Sequence, residues 1–112
     1  MKKYPLGEFE EIVLLTVAVL DEEAYGFSIK EEISERLGRK VSIGALQTAL
    51  IRMQDKGYLT SRKGEGSTAR GGRPKMYFQI TSHGMRALDY NKNVRLELWN
   101  AIPNKTQLLN YD

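Results

Sequence analysis

The chain contains no cysteine among its 112 residues. Disulfides, thiolate metal sites, cysteine-attached haem and cysteine nucleophiles are therefore excluded. Histidine occurs once, at His83, so a single chain cannot build a multi-histidine metal centre. His83 follows a helix-capping threonine, with no acid and nucleophile pattern around it, so no catalytic residue, metal or cofactor is expected. Long apolar runs are also missing. The longest, Ile12–Leu20, is broken by Thr16 and falls well short of the ~18–20 residues of a membrane span. The N-terminal Met-Lys-Lys-Tyr-Pro meets Glu8, Glu10 and Glu11 at once and so lacks the apolar core of a signal peptide. These absences lead us to expect a soluble cytoplasmic protein with no membrane segment.

What remains is ordinary globular material: 41% apolar and 28% charged residues, which argues against disorder. The length suits one domain, which usually takes ~100–200 residues. The formal net charge of +3 conceals two opposed blocks. Residues 8–35 hold nine acidic residues against Lys30 alone, a net −8. Residues 36–75 hold ten basic residues against Asp55 and Glu65, a net +8. A fold that separates these blocks has a basic face suited to a polyanion, most commonly nucleic acid. A fold that pairs them locally does not.

Periodicity supplies the elements. Residues 8–20 read as a helix with Phe9, Ile12, Val13, Thr16 and Leu20 on one stripe and Leu14, Leu15, Val17 and Val19 around it, apolar enough to need cover on more than one side. Gly26 to Leu37 forms a second helix with Ile29, Ile33 and Leu37 inward, ended by Gly38. Ser42 caps a third, with Leu46, Leu50 and Met53 inward and Gly57 as its stop. The period then shortens: Tyr58–Arg62 and Lys75–Ile80 read as strands around a glycine-rich loop from Gly64 to Pro74. Thr81 caps a last helix that runs to about Ala101, with Pro103 beyond.

The expected fold is mainly α with a small β-hairpin (α+β): a winged helix-turn-helix domain over residues 1–81, a C-terminal dimerisation helix over 82–103 and a flexible tail over 104–112. The third helix is the candidate recognition helix. Residues that enter a major groove must be small or able to hydrogen-bond, and Ser42, Gly44, Ala45, Gln47 and Thr48 are. Gln47 suits an adenine edge, Thr48 or Ala45 a thymine methyl, and Arg52 a phosphate. An ordinary solvent-facing helix would carry more acid; residues 42–52 carry none. The candidate wing is Lys63, Arg70, Gly71, Gly72, Arg73 and Lys75, cations for phosphate beside glycines that permit close approach.

The candidate dimer surface is Phe9, Val13, Tyr90, Val94, Leu98 and Trp99, on two helices with more apolar surface than a small domain covers. Trp99, the sole tryptophan, is either interface packing or one wall of a cavity for a flat effector. The expected function is a DNA-binding regulator, a homodimer on double-stranded operator DNA. The competing reading is a winged-helix protein-interaction adaptor whose acidic block binds a basic partner.

Specific segments then resemble the PadR family of bacterial transcriptional regulators over roughly residues 6–90. They are Leu6-Gly7-Glu8-Phe9-Glu10-Glu11-Ile12-Val13-Leu14-Leu15, Ala24-Tyr25-Gly26, Val41-Ser42-Ile43-Gly44-Ala45-Leu46, Lys56-Gly57-Tyr58-Leu59, and Arg70-Gly71-Gly72-Arg73-Pro74-Lys75-Met76-Tyr77-Phe78 running on to Ile80-Thr81 and Gly84. The resemblance implies a homodimeric winged helix on a palindromic operator, usually a repressor, with the C-terminal helix packed on the partner's N-terminal helix. It also implies release by phenolic acids or flat cationic molecules, which in some members a tryptophan of the last helix sandwiches, in a stretch comparable to that of Trp99. Where the family commonly carries tyrosine in mid recognition helix, this chain has Gln47. The region after the wing has room for one helix rather than a longer helical extension.

Overall fold

The computed structural model describes residues 3–66 and 74–110. Helices α1 (Glu8–Leu20), α2 (Gly26–Leu37) and α3 (Ile43–Asp55) are followed by strands β1 (Leu59–Gly66) and β2 (Pro74–Ile80), the long helix α4 (Ser82–Ala101) and a short helix α5 (Lys105–Leu109). A 3₁₀ turn at Asp21–Glu23 joins α1 to α2.

Helix α1 starts where Glu8, Glu10 and Glu11 lie at the positive end of the helix, and the Glu10 carboxylate accepts the Gly7 amide at 3.0 Å. Its buried side is Val13, Leu14, Thr16 and Val17 together with the Glu11 side chain. Leu15 and Val19, four residues apart, stay exposed at 47% and 56%. Of the stripe expected from spacing, Val13 and Thr16 are buried, while Phe9, Ile12 and Leu20 are half-buried at the flank of the core. Helix α2 buries Ile29 and Ile33, whereas Leu37, expected to point inward, is exposed. Gly38 and Gly57 end α2 and α3 with φ of 61° and 80°, where a side chain would be strained.

The core gathers Leu6, Val13, Leu14, Val17, Ile29, Ile33, Leu46, Leu50, Met53, Tyr58 and Leu59, with Ala87 and Leu88 from α4. Tyr58, expected in the first strand, is instead a buried plug whose hydroxyl donates to the Pro5 carbonyl at 3.2 Å. The strands pair antiparallel from Leu59 with Ile80 to Lys63 with Met76, and after an irregularity Gly66 meets Pro74. Strand β1 thus runs through Gly64, where a loop was expected: a Cβ there would overlap the Tyr77 ring, so this strand position needs glycine. The Phe78 amide donates to the Ala24 carbonyl at 2.8 Å, tying the hairpin to the start of α2.

At the root of α4, the Thr81 hydroxyl accepts the Gly84 amide at 3.0 Å and donates to the Gly57 carbonyl at 2.6 Å. Gly84 packs so closely that an added Cβ would overlap the Tyr58 carbonyl oxygen and lie 2.8 Å from Ile80 Cγ1. Asn91 then donates to the Tyr4 and Ala87 carbonyls, and Arg95 pairs with the buried Glu11. From Lys92 to Ile102 every residue is exposed, and the molecule measures 57 × 37 × 22 Å. The tail also differs from expectation. After Pro103, Asn104 adopts φ 61° and residues 105–109 form the helical turn α5 rather than an irregular tail.

Candidate nucleic-acid interface

The start of α3 is fixed by Ser42, whose hydroxyl accepts the Ala45 amide at 3.1 Å. Its buried residues, Leu46, Ala49, Leu50 and Met53, define one side. At 100° per residue the opposite side centres on Gly44, Thr48 and Ile51, with Gln47 on one flank and Ala45 and Arg52 on the other. Ser42, Gly44, Ala45, Gln47, Thr48 and Arg52 are all exposed, so the structure gathers the expected recognition residues on one open face. Nothing lies within 4 Å of a Cβ added at Gly44. Ile51, exposed at 56%, lies on this face and was missed from the sequence, where an isoleucine reads as core; Ile43, exposed at 50%, lies at its border.

The hairpin stands beside this face, because the Gln54 side chain donates to the Ser61 hydroxyl at 2.8 Å and couples the end of α3 to β1. Lys63 is exposed on β1. Lys75 is held down: its ammonium lies 4.3 Å from the Tyr25 ring centroid. Tyr25 meets Tyr77 edge-on at 5.5 Å, and the Arg62 guanidinium lies 4.7 Å over Tyr77. This Lys75–Tyr25–Tyr77–Arg62 ladder presents two cations and two phenols at the base of the hairpin. Sequence reading found Lys75 alone, since Tyr25 and Tyr77 lie far apart in the chain. Arg70, Gly71, Gly72 and Arg73 lie outside the described residues.

The charge blocks are partly paired and partly separated. Glu8 meets Arg39 at 2.9 Å, Glu32 meets Arg36, and Glu10 meets Lys56 at 2.8 Å. Among the described residues, Lys40, Arg52, Arg62 and Lys63 form no ion pair within 4.0 Å, and these belong to α3 and its surroundings. Glu10 sits where α1 crosses α3. Burial disfavours its charge, but the Lys56 ammonium and the Gly7 amide outweigh that and hold its carboxyl below the ordinary range.

The expected dimer residues scatter. Val13 is 0% exposed and lies wholly within its own core, so it cannot meet a partner. Phe9 is half-buried, with the Arg39 guanidinium 5.2 Å over its ring. On α1 it is Leu15 and Val19 that face outward; an all-round apolar helix does not announce which stripe its own domain takes. Tyr90, Val94 and Leu98 lie on one side of α4, exposed at 37%, 39% and 68%. Trp99, at 46%, lies on the other. There it walls an open groove of about 680 Å³ between α1 and α4, with Leu15, Val19, Met85 and Leu96, and Glu11, Lys92 and Arg95 on its rim.

A helix-turn-helix whose second helix is exposed, followed by a two-stranded hairpin, defines a winged helix-turn-helix protein. Residues 14–90 match the family described as the transcriptional regulator PadR-like family. The chain belongs to that family, one of transcriptional regulators rather than enzymes. Solved structures agree in fold. A PadR-like transcription factor from Bacteroides fragilis is 25% identical with a TM-score of 0.70, over 82% of this chain and 84% of that one. A PadR-like transcriptional regulator from Bacillus cereus is 21% identical with a TM-score of 0.69, over 93% of each chain. Bacillus subtilis PadR, solved in complex with operator DNA, is 20% identical with a TM-score of 0.62, over 72% of this chain and 44% of that one. No curated protein matches the sequence.

Proposed function

We propose that this protein is a homodimeric repressor that reads a palindromic DNA operator with α3 and braces it with the hairpin. The observation that carries the reading is the outward face of α3. It is small, uncharged at its centre and free of acid over residues 42–52, and unpaired cations surround it. Gly44, Thr48 and Ala45 let the helix enter a major groove, Gln47 faces an adenine edge, and Ser42 contributes its cap and a short side chain. Arg52, Lys63 and the Arg62–Lys75 ladder take phosphates, together with Arg70 and Arg73 and the close approach allowed by Gly71 and Gly72. A cytoplasmic location accords with this role, and among the described residues no helix is long and apolar enough to cross a membrane.

The dimer forms through α1 and α4. From Lys92 to Ala101 every residue of α4 is exposed, yet this stretch carries Val94, Leu96, Leu98 and Trp99. A second copy supplies that cover, α4 lying against the partner's Leu15 and Val19. The groove beside Trp99 falls within the ~300–1,000 Å³ typical of small-molecule sites. A flat aromatic or phenolic effector between paired last helices stacks on Trp99, and relieves repression only if it favours one spacing of the two α3 helices.

The test is a gel shift on the DNA upstream of the protein's own gene, titrated with salt. Arg52→Ala should weaken binding to all sequences and flatten log K against log salt by about 1.8, about 0.9 for each of two phosphates in a dimer. Gln47→Ala should instead alter sequence preference, by roughly 1–3 kcal/mol per base contact. An Arg52→Ala protein with wild-type affinity and slope refutes the assignment of α3.

A further inference from the structure

Two apolar features are left without a partner. The first is a second groove, about 270 Å³, on the other side of α1, between α1 and α2. Ile12, Thr16 and Ile33 line its base, and Leu15, Val19 and Leu37 its walls, with Leu37 exposed at 55%. The second is the end of the chain, where Leu108 and Leu109 project from α5 at 62% and 65% exposure. Helix α5 has only five residues and no side-chain cap. Isolated helices shorter than ~12–15 residues are marginal in water, so α5 needs a surface to hold its shape.

We propose that α5 of each protomer seats Leu108 and Leu109 in the α1/α2 groove of a second copy, so that the two chains clasp each other. This rests on the homodimer read above. Two observations point to a second copy as the occupant. Leu15 and Val19 wall both grooves, so a partner α4 lying in the larger one has only to cross α1, about one helix diameter or 10 Å, to reach the smaller. The Pro103–Asn104 turn, with Asn104 at φ 61°, breaks α4 where such a crossing requires a change of direction.

The cysteine-free sequence allows a direct test on the full chain. Leu37→Cys combined with Leu108→Cys, oxidised mildly, should give a covalent species of twice the chain mass on a non-reducing gel, far more than either single variant. A disulfide at monomer mass would mean that α5 folds onto its own groove, overturning the clasp. No disulfide in a protein that sediments as a dimer would overturn the clasp and leave the dimer standing. A monomer at micromolar concentration would remove both. Independently, Leu108→Ser with Leu109→Ser, both at exposed sites that spare the core, should raise the dimer dissociation constant about tenfold or more. An unchanged constant refutes the clasp.

Discussion

The two ends of this molecule obey opposite rules. Among the described residues from Leu6 to Leu88, the chain closes on one core. Val13, Ile29 and Met53 are fully buried, and among the described residues no buried side-chain polar atom lacks a hydrogen-bond partner. From Lys92 to Ile102 every residue is exposed, and Val94, Leu96, Leu98, Trp99, Ile102, Leu108 and Leu109 are all exposed at 39% or more. The first region obtains its stability from its own contacts. The second is apolar in sequence yet uncovered within one chain, and the difference teaches that a single helix can serve two cores. Its first turns, through Ala87 and Leu88, finish the domain. Its last turns are exposed in one chain, and in the proposed dimer they would begin a second core.

Breaking the closed half should have the largest effect. Leu14→Ala removes a fully buried side chain and should cost about 2–5 kcal/mol, read as a fall in chemical-denaturation midpoint at unchanged helical content before melting. Leu96→Asp tests the open half. It should leave the winged domain folded by circular dichroism but raise the dimer dissociation constant at least about a hundredfold, roughly 2.7 kcal/mol, by sedimentation. A variant that unfolds outright would show that the two halves are not separable.

The recognition face sharpens the contrast, because there stability and function should part. Gly44→Ala places its methyl in open space inside a helix, so it should raise stability by roughly 0.5–1 kcal/mol. The same methyl should weaken operator binding, since in the proposed complex the space it fills is that of the bases. Improved binding would place Gly44 off the interface.

The smallest effect concerns the tie between α1 and α3. Because the Glu10 carboxyl is held below the ordinary 4.5, its contribution is present above that value and lost as pH falls through the lowered one. Lys56→Gln should therefore lower stability at pH 7 by about 0.2–1 kcal/mol and converge with wild type in acid, as equilibrium unfolding at several pH values would show. A pH-independent difference would assign the loss to packing.

Local chemistry was legible in the sequence. Ser42 and Thr81 cap as read, Gly38 and Gly57 stop their helices, and α1 to α4 have nearly the expected bounds. What hid was of two kinds. Contacts between distant residues leave no periodic trace: Arg95 and Glu11 stand 84 positions apart, and the Tyr25–Tyr77 pairing exists only because β2 lies against the start of α2. Ambiguous composition hid the rest. Helix α1 is apolar on every side, so spacing did not show which side its own domain covers: the expected dimer surface took Val13, which is buried, and left out Leu15 and Val19, which are exposed. Gly64 carried a loop signal although it serves a strand, and Pro103 masked the turn that follows it.

The packing at Gly84 has a mechanical consequence. The foot of α4 is wedged against the Tyr58 backbone and the Ile80 side chain, the residues that enter and leave the hairpin, so helix and hairpin share one pivot with no side chain on Gly84 to act as a cushion. With an arm of ~30 Å, a tilt of about 10° at that foot moves the far tip by about 5 Å. Run backwards, the same gearing turns a coarse displacement at the tip, of the size a bound molecule produces, into a fine rotation of the hairpin.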